Sequence, residues 1–279
     1  MRGLLDFASS IKITDLRIYQ VIFLASFLTI GVAKEFIDLS LYFLFWVPVV
    51  GVVTHYLLIL LKNVTSGARL IHLRGALLSS FITFFSVMLL LRSAHLKDYF
   101  ICLALALFSK AFIHFKGRHL FNPANFGIIV SLICLDSVWV TAGQWGHENF
   151  WIFSFLCLGL YLAFRKARSN SGLMFLLMYF IGLFLRMVWL GDEWLPTVHK
   201  IGQGSLLVFS FFMISDPKTS PHTFGGRLIH CSLIAVATLT MQFVFYWNNA
   251  PLIALFLIGP LFPLWDRFFL KRQFEYSSA

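Results

Sequence analysis

Two short polar stretches interrupt an otherwise apolar chain and gather residue types able to hold a ligand: FKGRHLFNPANFG (115–127) and SDPKTSP (215–221). In the first, Asn122 before Pro123 predicts an N-cap followed by the first residue of a helix. A helix starting there presents unpaired backbone N–H groups and the positive end of its dipole. With Lys116, Arg118 and His119 just upstream, that end suits a phosphate, a carboxylate or the electron-rich edge of a ring cofactor. The same residues also suit a plainer role, a capped helix flanked by topology-setting charge, and spacing alone favours it. In the second stretch, Asp216 before Pro217 predicts the end of a helix, because the residue preceding proline avoids helical geometry. Asp216 can accept a proton, pair with Lys218 or cap a turn, and spacing again favours the turn. Ser220–Pro221 offers another turn or cap, and Gly225 and Gly226 let the chain re-enter an apolar layer.

Composition requires a scaffold of buried helices around these stretches. Of 279 residues, 59% are hydrophobic and 12% charged, more apolar surface than a soluble domain of this length can hide. Apolar runs recur from end to end at lengths that suit transmembrane helices. Alternating short strands of the kind a β-barrel needs are not seen. The expected fold class is an all-α polytopic membrane protein, a single integral domain over 1–279. Ten helices are predicted, at 17–33, 38–61, 75–91, 98–115, 124–141, 149–164, 172–190, 201–215, 228–247 and 250–265. MRGLLDFASSIKITDLRIYQ carries no cleavable-signal pattern, so the first helix is expected to act as its own insertion signal.

The net charge of +10 does not point to nucleic acid, since no aromatic–basic groove or zinc spacing accompanies it. Instead the basic residues alternate across the predicted spans. Sixteen fall on the side of the N-terminus and four (Lys34, Arg92, Lys97, Lys200) on the other. That asymmetry places both termini in the cytoplasm of a plasma (inner) membrane protein. Ten helices divide into halves 1–141 and 142–279 of five each, which would have opposite orientation, an inverted repeat. GALLSSF (75–81) and GSLLVFS (204–210) occupy matching places, and the eighth run is too short to span hydrocarbon, as short or broken central helices beside a site often are.

Other residue types also suggest chemistry. Lys110, inside the fourth helix, either snorkels toward the cytoplasmic face or belongs to a site. Asp136 and Arg186 lie toward the outer face and are expected to pair. Cys102, Cys134, Cys157 and Cys231 form no CxxC pair and read as small buried hydrophobes, so an iron–sulfur cluster is not expected. His55, His114 and His230 form no repeated facing pair, so haem is not expected; no metal site is. The outer segments hold seven acids, Asp98 among them, against four bases, tolerated there rather than functional. The 33 Phe residues can pack lipid, core or the rings of a flavin or quinone. Trp139, Trp145, Trp151, Trp189, Trp194 and Trp247 gather near outer helix ends as an interfacial belt.

HLFNPANFG and FFMISDPKTSP…GRLI resemble a family of membrane proteins that contains the D subunit of the Rnf electron-transport complex and the B subunit of the sodium-pumping NADH:quinone reductase. GALLSSFITFFSVMLLLR and ALFLIGPLFPLWDR (254–267) are similar to it too, so that the resemblance covers roughly residues 65–270. It implies ten helices in two inverted halves and flavin-assisted electron transfer coupled to ion movement, alongside other subunits of a redox complex. Family members with covalent FMN carry a Ser-Gly-Ala-Thr type motif after the fifth helix. Here that loop reads VTAGQWGHENFW (140–151): Thr141 is present, the motif is not. The Thr65-Ser66-Gly67-Ala68 run lacks the closing threonine. Covalent FMN is therefore not expected; the expectation is either a noncovalent flavin, FMN or riboflavin, or no flavin of its own and the use of a partner's cofactors. The chain also resembles short family members encoded beside enediyne-biosynthesis genes. The site residues expected are Asn122, Pro123, Asn125, Phe126, Asp216, Thr219 and Ser220, with Lys110 and His119, orienting a ring cofactor through polar contacts at helix ends. Two other functions fit the same pattern: a small-solute channel or transporter, and a membrane anchor for a redox enzyme.

Overall fold

A computed structural model describes residues 16–33, 39, 41–66, 73–141, 171–201 and 203–277. Among these the chain is mostly helical and forms no barrel. Helices α1 (Leu16–Ala33), α2 (Leu41–Ser66) and α3 (Leu73–Leu90) come first, then strand β1 (Leu91–Ser93) and helix α4 (Leu96–Phe112). A hairpin of β2 (His114–Phe115) and β3 (Arg118–His119) leads into α5 (Pro123–Cys134) and strand β4 (Val138–Val140). In the following described stretch come α6 (Ser171–Leu190), α7 (Trp194–Ile201) and α8 (Gly204–Val208), the last continuing as a π-helical turn over Phe209–Met213. Helix α9 (Phe224–Phe243) precedes α10 (Ala250–Ile258), which passes through a 3₁₀ turn (Gly259–Leu261) into α11 (Phe262–Ser277).

Among the described residues, three helical runs are long and apolar enough to cross a membrane: Ser171–Leu190, Phe224–Phe243 and Ala250–Phe269. Large apolar side chains stand on the outside, including Phe45, Val53 and Leu57 of α2 and Leu185, Val188 and Trp189 of α6. In water such faces would be a liability; in lipid they are the ordinary surface. Trp139, Trp189, Trp194 and Trp247 are all exposed, whereas Trp145 and Trp151 lie outside the described residues, as do Cys157 and the helix expected at 149–164.

The fifth helix differs from its expected extent of 124–141. It ends at Cys134 after 12 residues, about 18 Å at 1.5 Å per residue, short of a hydrocarbon core of about 30 Å. The apolar run continues, but Val138, Trp139 and Val140 favour extended backbone and pair antiparallel with β1, Leu91 opposite Val140 and Ser93 opposite Val138. Asp98 locks this end. Fully buried in the first turn of α4, it accepts from Ser93 Oγ at 2.5 Å and Ser137 Oγ at 2.7 Å, so it is a structural clamp between α4 and the strands. Arg186 pairs not with Asp136, which is exposed, but with Asp192 at 2.7 Å, six residues further along the chain.

Helices α4 and α5 pack face to face, as do α1 on α3, α2 on α4, and α9 on both α6 and α10. Two close approaches depend on glycine. A Cβ at Gly127 of α5 would lie 2.5 Å from the Cys102 carbonyl of α4. At Gly172 of α6 a Cβ would collide with the Ser210 carbonyl of the π turn, and the Gly172 N–H donates to Ser215 Oγ at 3.1 Å. Gly172→Val therefore drives a side chain into backbone that cannot yield, a loss of about 1–3 kcal/mol or more. Its melting temperature in detergent should fall clearly below that of Gly182→Ala, whose added methyl meets only the movable Leu239 side chain.

Candidate functional site

The two polar stretches meet. The hairpin ahead of the first turns at Lys116 (φ 50°) and Gly117 (φ 77°), both left-handed as a two-residue hairpin turn requires. The chain then reaches Asn122, the N-cap of α5, with Pro123 beside it in the first turn. Asn122 Oδ1 accepts from the Asn125 N–H at 3.1 Å while its Nδ2 donates to the Met213 carbonyl at 3.2 Å. One amide thus closes the start of α5 and the end of the π turn together.

The rest of the second stretch does similar work. A helix that stops inside a membrane leaves carbonyls that no water reaches. Ser215 Oγ donates to the Ser210 carbonyl at 2.7 Å, and Ser220 Oγ to the Ile214 carbonyl at 2.8 Å. Asp216 Oδ1 accepts from the Lys218 N–H at 3.0 Å, and the Thr219 N–H donates to the Asp216 carbonyl at 3.1 Å. The polar knot in this greasy chain is what lets α8 end early.

Between the two broken ends lies a cavity of about 430 Å³, within the range of small-molecule and cofactor sites. Of the residues expected from the sequence, Lys110, His119, Asn122, Pro123 and Asp216 line it. The other four stand behind the wall. Asn125 Nδ2 donates to the Leu252 carbonyl at 3.2 Å, joining the first turns of α5 and α10. Phe126 packs against Phe121 and Phe256 in tilted ring contacts, at centroid distances of 5.2 and 5.9 Å. Thr219 and Ser220 are buried in the turn. Arg118, a candidate anion ligand by sequence, is instead spent on structure. Its Nε donates to the Lys218 carbonyl at 3.0 Å, its Nη2 to the carbonyls of Pro217 (3.2 Å) and Ser220, and its Nη1 pairs with Asp266 at 2.8 Å.

Further lining residues were not anticipated. Arg17 and Gln20 of α1, the hydroxyls of Ser79, Thr83 and Ser86 on α3, and Phe211 and Phe212 of the π turn face the same space. The α3 hydroxyls repeat at helical spacing within an apolar run, which is a readable polar stripe. Lys110 Nζ donates to Ser80 Oγ of α3 at 3.3 Å, so it reaches across from α4 rather than out to water. The cavity therefore offers hydroxyl, amide and cationic donors, one carboxylate and two aromatic rings.

A second cavity of about 280 Å³ lies at the other end of α8. Gln203, Gln242, Asn248, Asn249 and Thr141 line it, and Tyr179 on its wall donates to Gln242 Oε1 at 2.7 Å.

A match to the model of the NQR2, RnfD, RnfE family covers residues 136–275, just over half of the chain and including the second stretch. The chain belongs to this family. Consistent with the apolar helices, this family member is an integral membrane protein. A curated relative, the D subunit of the ion-translocating oxidoreductase complex of Psychromonas ingrahamii, is 29% identical over 133 residues. That match covers 47% of this chain and 38% of the relative, so the chain spans well under half of the relative's length there.

Proposed function

We propose that this family member is the membrane electron-transfer subunit of an Rnf- or NQR-type ion-translocating oxidoreductase complex, with a noncovalent flavin in the cavity between its two broken helix ends. The observation that carries this reading is the convergence of the FNPAN and SDPKTS stretches on one sheltered space of about 430 Å³. Family membership and the name of the curated relative support the redox complex and its other subunits as partners. Ten spans in two inverted halves, and both termini in the cytoplasm, complete the picture; short α5 and broken α8 fit it.

The lining suits a flavin's size and polarity. Asn122 and the first turn of α5 would meet the polar edge of the ring, Phe211 and Phe212 its faces, and Ser79 and Thr83 the ribityl hydroxyls. A flavin would supply the ability to take up and release electrons singly or in pairs. The protein's part is to hold the ring away from bulk water and fix its polar edge by the closed helix ends, which lowers the reorganisation that accompanies a change of charge.

The test is a visible spectrum of the detergent-purified protein. Flavin absorption that is released into the supernatant by acid or heat is expected. Fluorescence that survives denaturation in a gel would instead mean a covalent flavin. A colourless preparation that takes up reconstituted flavin from neither FMN nor riboflavin would remove the reading. Solute movement by such a preparation in liposomes would favour a transporter, for which the two cavities at opposite ends of α8 are the supporting observation.

A further inference from the structure

Two cations share one aromatic ring. The guanidinium carbon of Arg186, near the end of α6, lies 4.2 Å from the centroid of Phe243, the last residue of α9. Lys200 Nζ, on α7, lies 4.1 Å from the same centroid. Each contact is a favourable cation–π pair. Together they hold two like charges side by side, and the charge of Arg186 acts on Lys200. Arg186 has an acid, bonding Asp192 through Nη1 at 2.7 Å with both side chains half-exposed. Lys200 has none: among the described residues its ammonium forms no ion pair and no hydrogen bond. Glu193, next to Asp192, is exposed and pairs with neither cation.

The pair sits at the ends of α6 and α9 away from the two polar stretches. Bases are scarce there: Lys200 is one of four on that side of the predicted topology, so orientation in the membrane gives no reason for a second cation beside it. Trp189, Trp194 and Trp247 are exposed at the same end of the molecule, as residues at a membrane interface are. Running back from Arg186 along α6, Leu185, Phe184, Ile181 and Leu177 are exposed at helical spacing. Cations at the interface and an apolar strip leading away from them form one continuous surface. A free anion would use only the cations. A phospholipid, with an anionic group above and acyl chains below, covers both.

We propose that Arg186, Lys200 and the Phe243 ring hold the headgroup of an anionic phospholipid, whose acyl chains lie along the exposed strip of α6 from Leu185 to Leu177. The lipid phosphate faces the Lys200 ammonium and shares the Arg186 guanidinium with Asp192. A choline headgroup brings its own cation to a place that already holds two, so the site selects against it. None of the three residues lines either cavity, and the site does not depend on what the first cavity holds.

The full chain, stripped of lipid in detergent, is titrated with phosphatidylglycerol and with phosphatidylcholine and followed by native mass spectrometry. Phosphatidylglycerol should bind about fivefold or more tightly than phosphatidylcholine, the size of effect expected for one basic residue at a membrane surface. Lys200→Gln and Arg186→Gln should each weaken phosphatidylglycerol binding about fivefold, and Lys200→Arg should keep it, with the size-exclusion profile as the check on folding. Lys97→Gln, which removes an exposed base from the same side, should leave it unchanged. Glycerophosphate, the headgroup without chains, should compete only weakly. Equal binding of the two lipids, or an equal loss in Lys97→Gln, would overturn the proposal. So would glycerophosphate binding as tight as the lipid, since the α6 strip would then contribute nothing. Loss of a partner subunit from the assembled complex in Lys200→Gln, with lipid binding unchanged, would assign the cations to an acidic protein segment instead.

Discussion

Asn122→Ala is expected to cost about 2–4 kcal/mol and to loosen the cavity wall where α5 meets the π turn, since a lost cap and a stranded buried carbonyl add. The two losses coincide at one side chain. Without Oδ1 the start of α5 loses the acceptor of the Asn125 N–H, a cap worth about 0.5–2 kcal/mol. Without Nδ2 the Met213 carbonyl at the end of the π turn loses its side-chain donor in a buried place, a further penalty of about 1–3 kcal/mol. Asn122→Asp separates the two, since it keeps the cap acceptor and removes the donor, and should lie between alanine and the native protein. Denaturation in detergent followed by tryptophan fluorescence measures the order. If aspartate and alanine were equally damaging, the cap would be irrelevant; if both were harmless, the two helix ends would not be joined through Asn122.

The parts of this site that can be read from sequence are the local ones. A cap is a contact between neighbours, so Asn122 ahead of Pro123 announces the start of α5, and Asp216 before Pro217 announces the end of the broken helix. Their role in satisfying stranded backbone groups follows from chemistry within a few residues. The length of α5 is hidden because the apolar run continues through Val138–Val140, and hydrophobicity without periodicity does not distinguish a buried strand from a further helical turn. Asp98 looks like an ordinary outer-face acid because its partners, Ser93 and Ser137, are brought to it only by the fold. Arg17 belongs to the cavity through the packing of α1 on α3, which nothing in either helix announces. Arg118 reads as an anion ligand for the same reason: the acid that holds it lies 148 residues away.

That distant contact makes Arg118→Met the second large effect. The guanidinium binds three carbonyls of the second polar stretch, lies over the Phe262 ring with its central carbon 4.3 Å from the centroid, and pairs with Asp266. The other Asp266 oxygen accepts the His222 N–H at 2.6 Å, so one ion pair anchors both ends of the turn that forms the cavity wall. Removing one member of a buried pair costs about 3–5 kcal/mol. The side chains here are 17% and 11% exposed, which places the expected loss near the lower end of that range, ~3 kcal/mol. Lysine is a poor substitute, because a single ammonium cannot reach three carbonyls and a carboxylate in one plane, so Arg118→Lys should recover less than half of the loss. The double variant Arg118→Met/Asp266→Asn should be more stable than Arg118→Met alone, because it no longer strands a carboxylate, and yet still bind ligand weakly, because the turn has lost its anchor. Stability and ligand affinity measured on the same preparations separate those two consequences. A double variant no better than the single one would mean that the three carbonyl contacts, and not the ion pair, carry the effect.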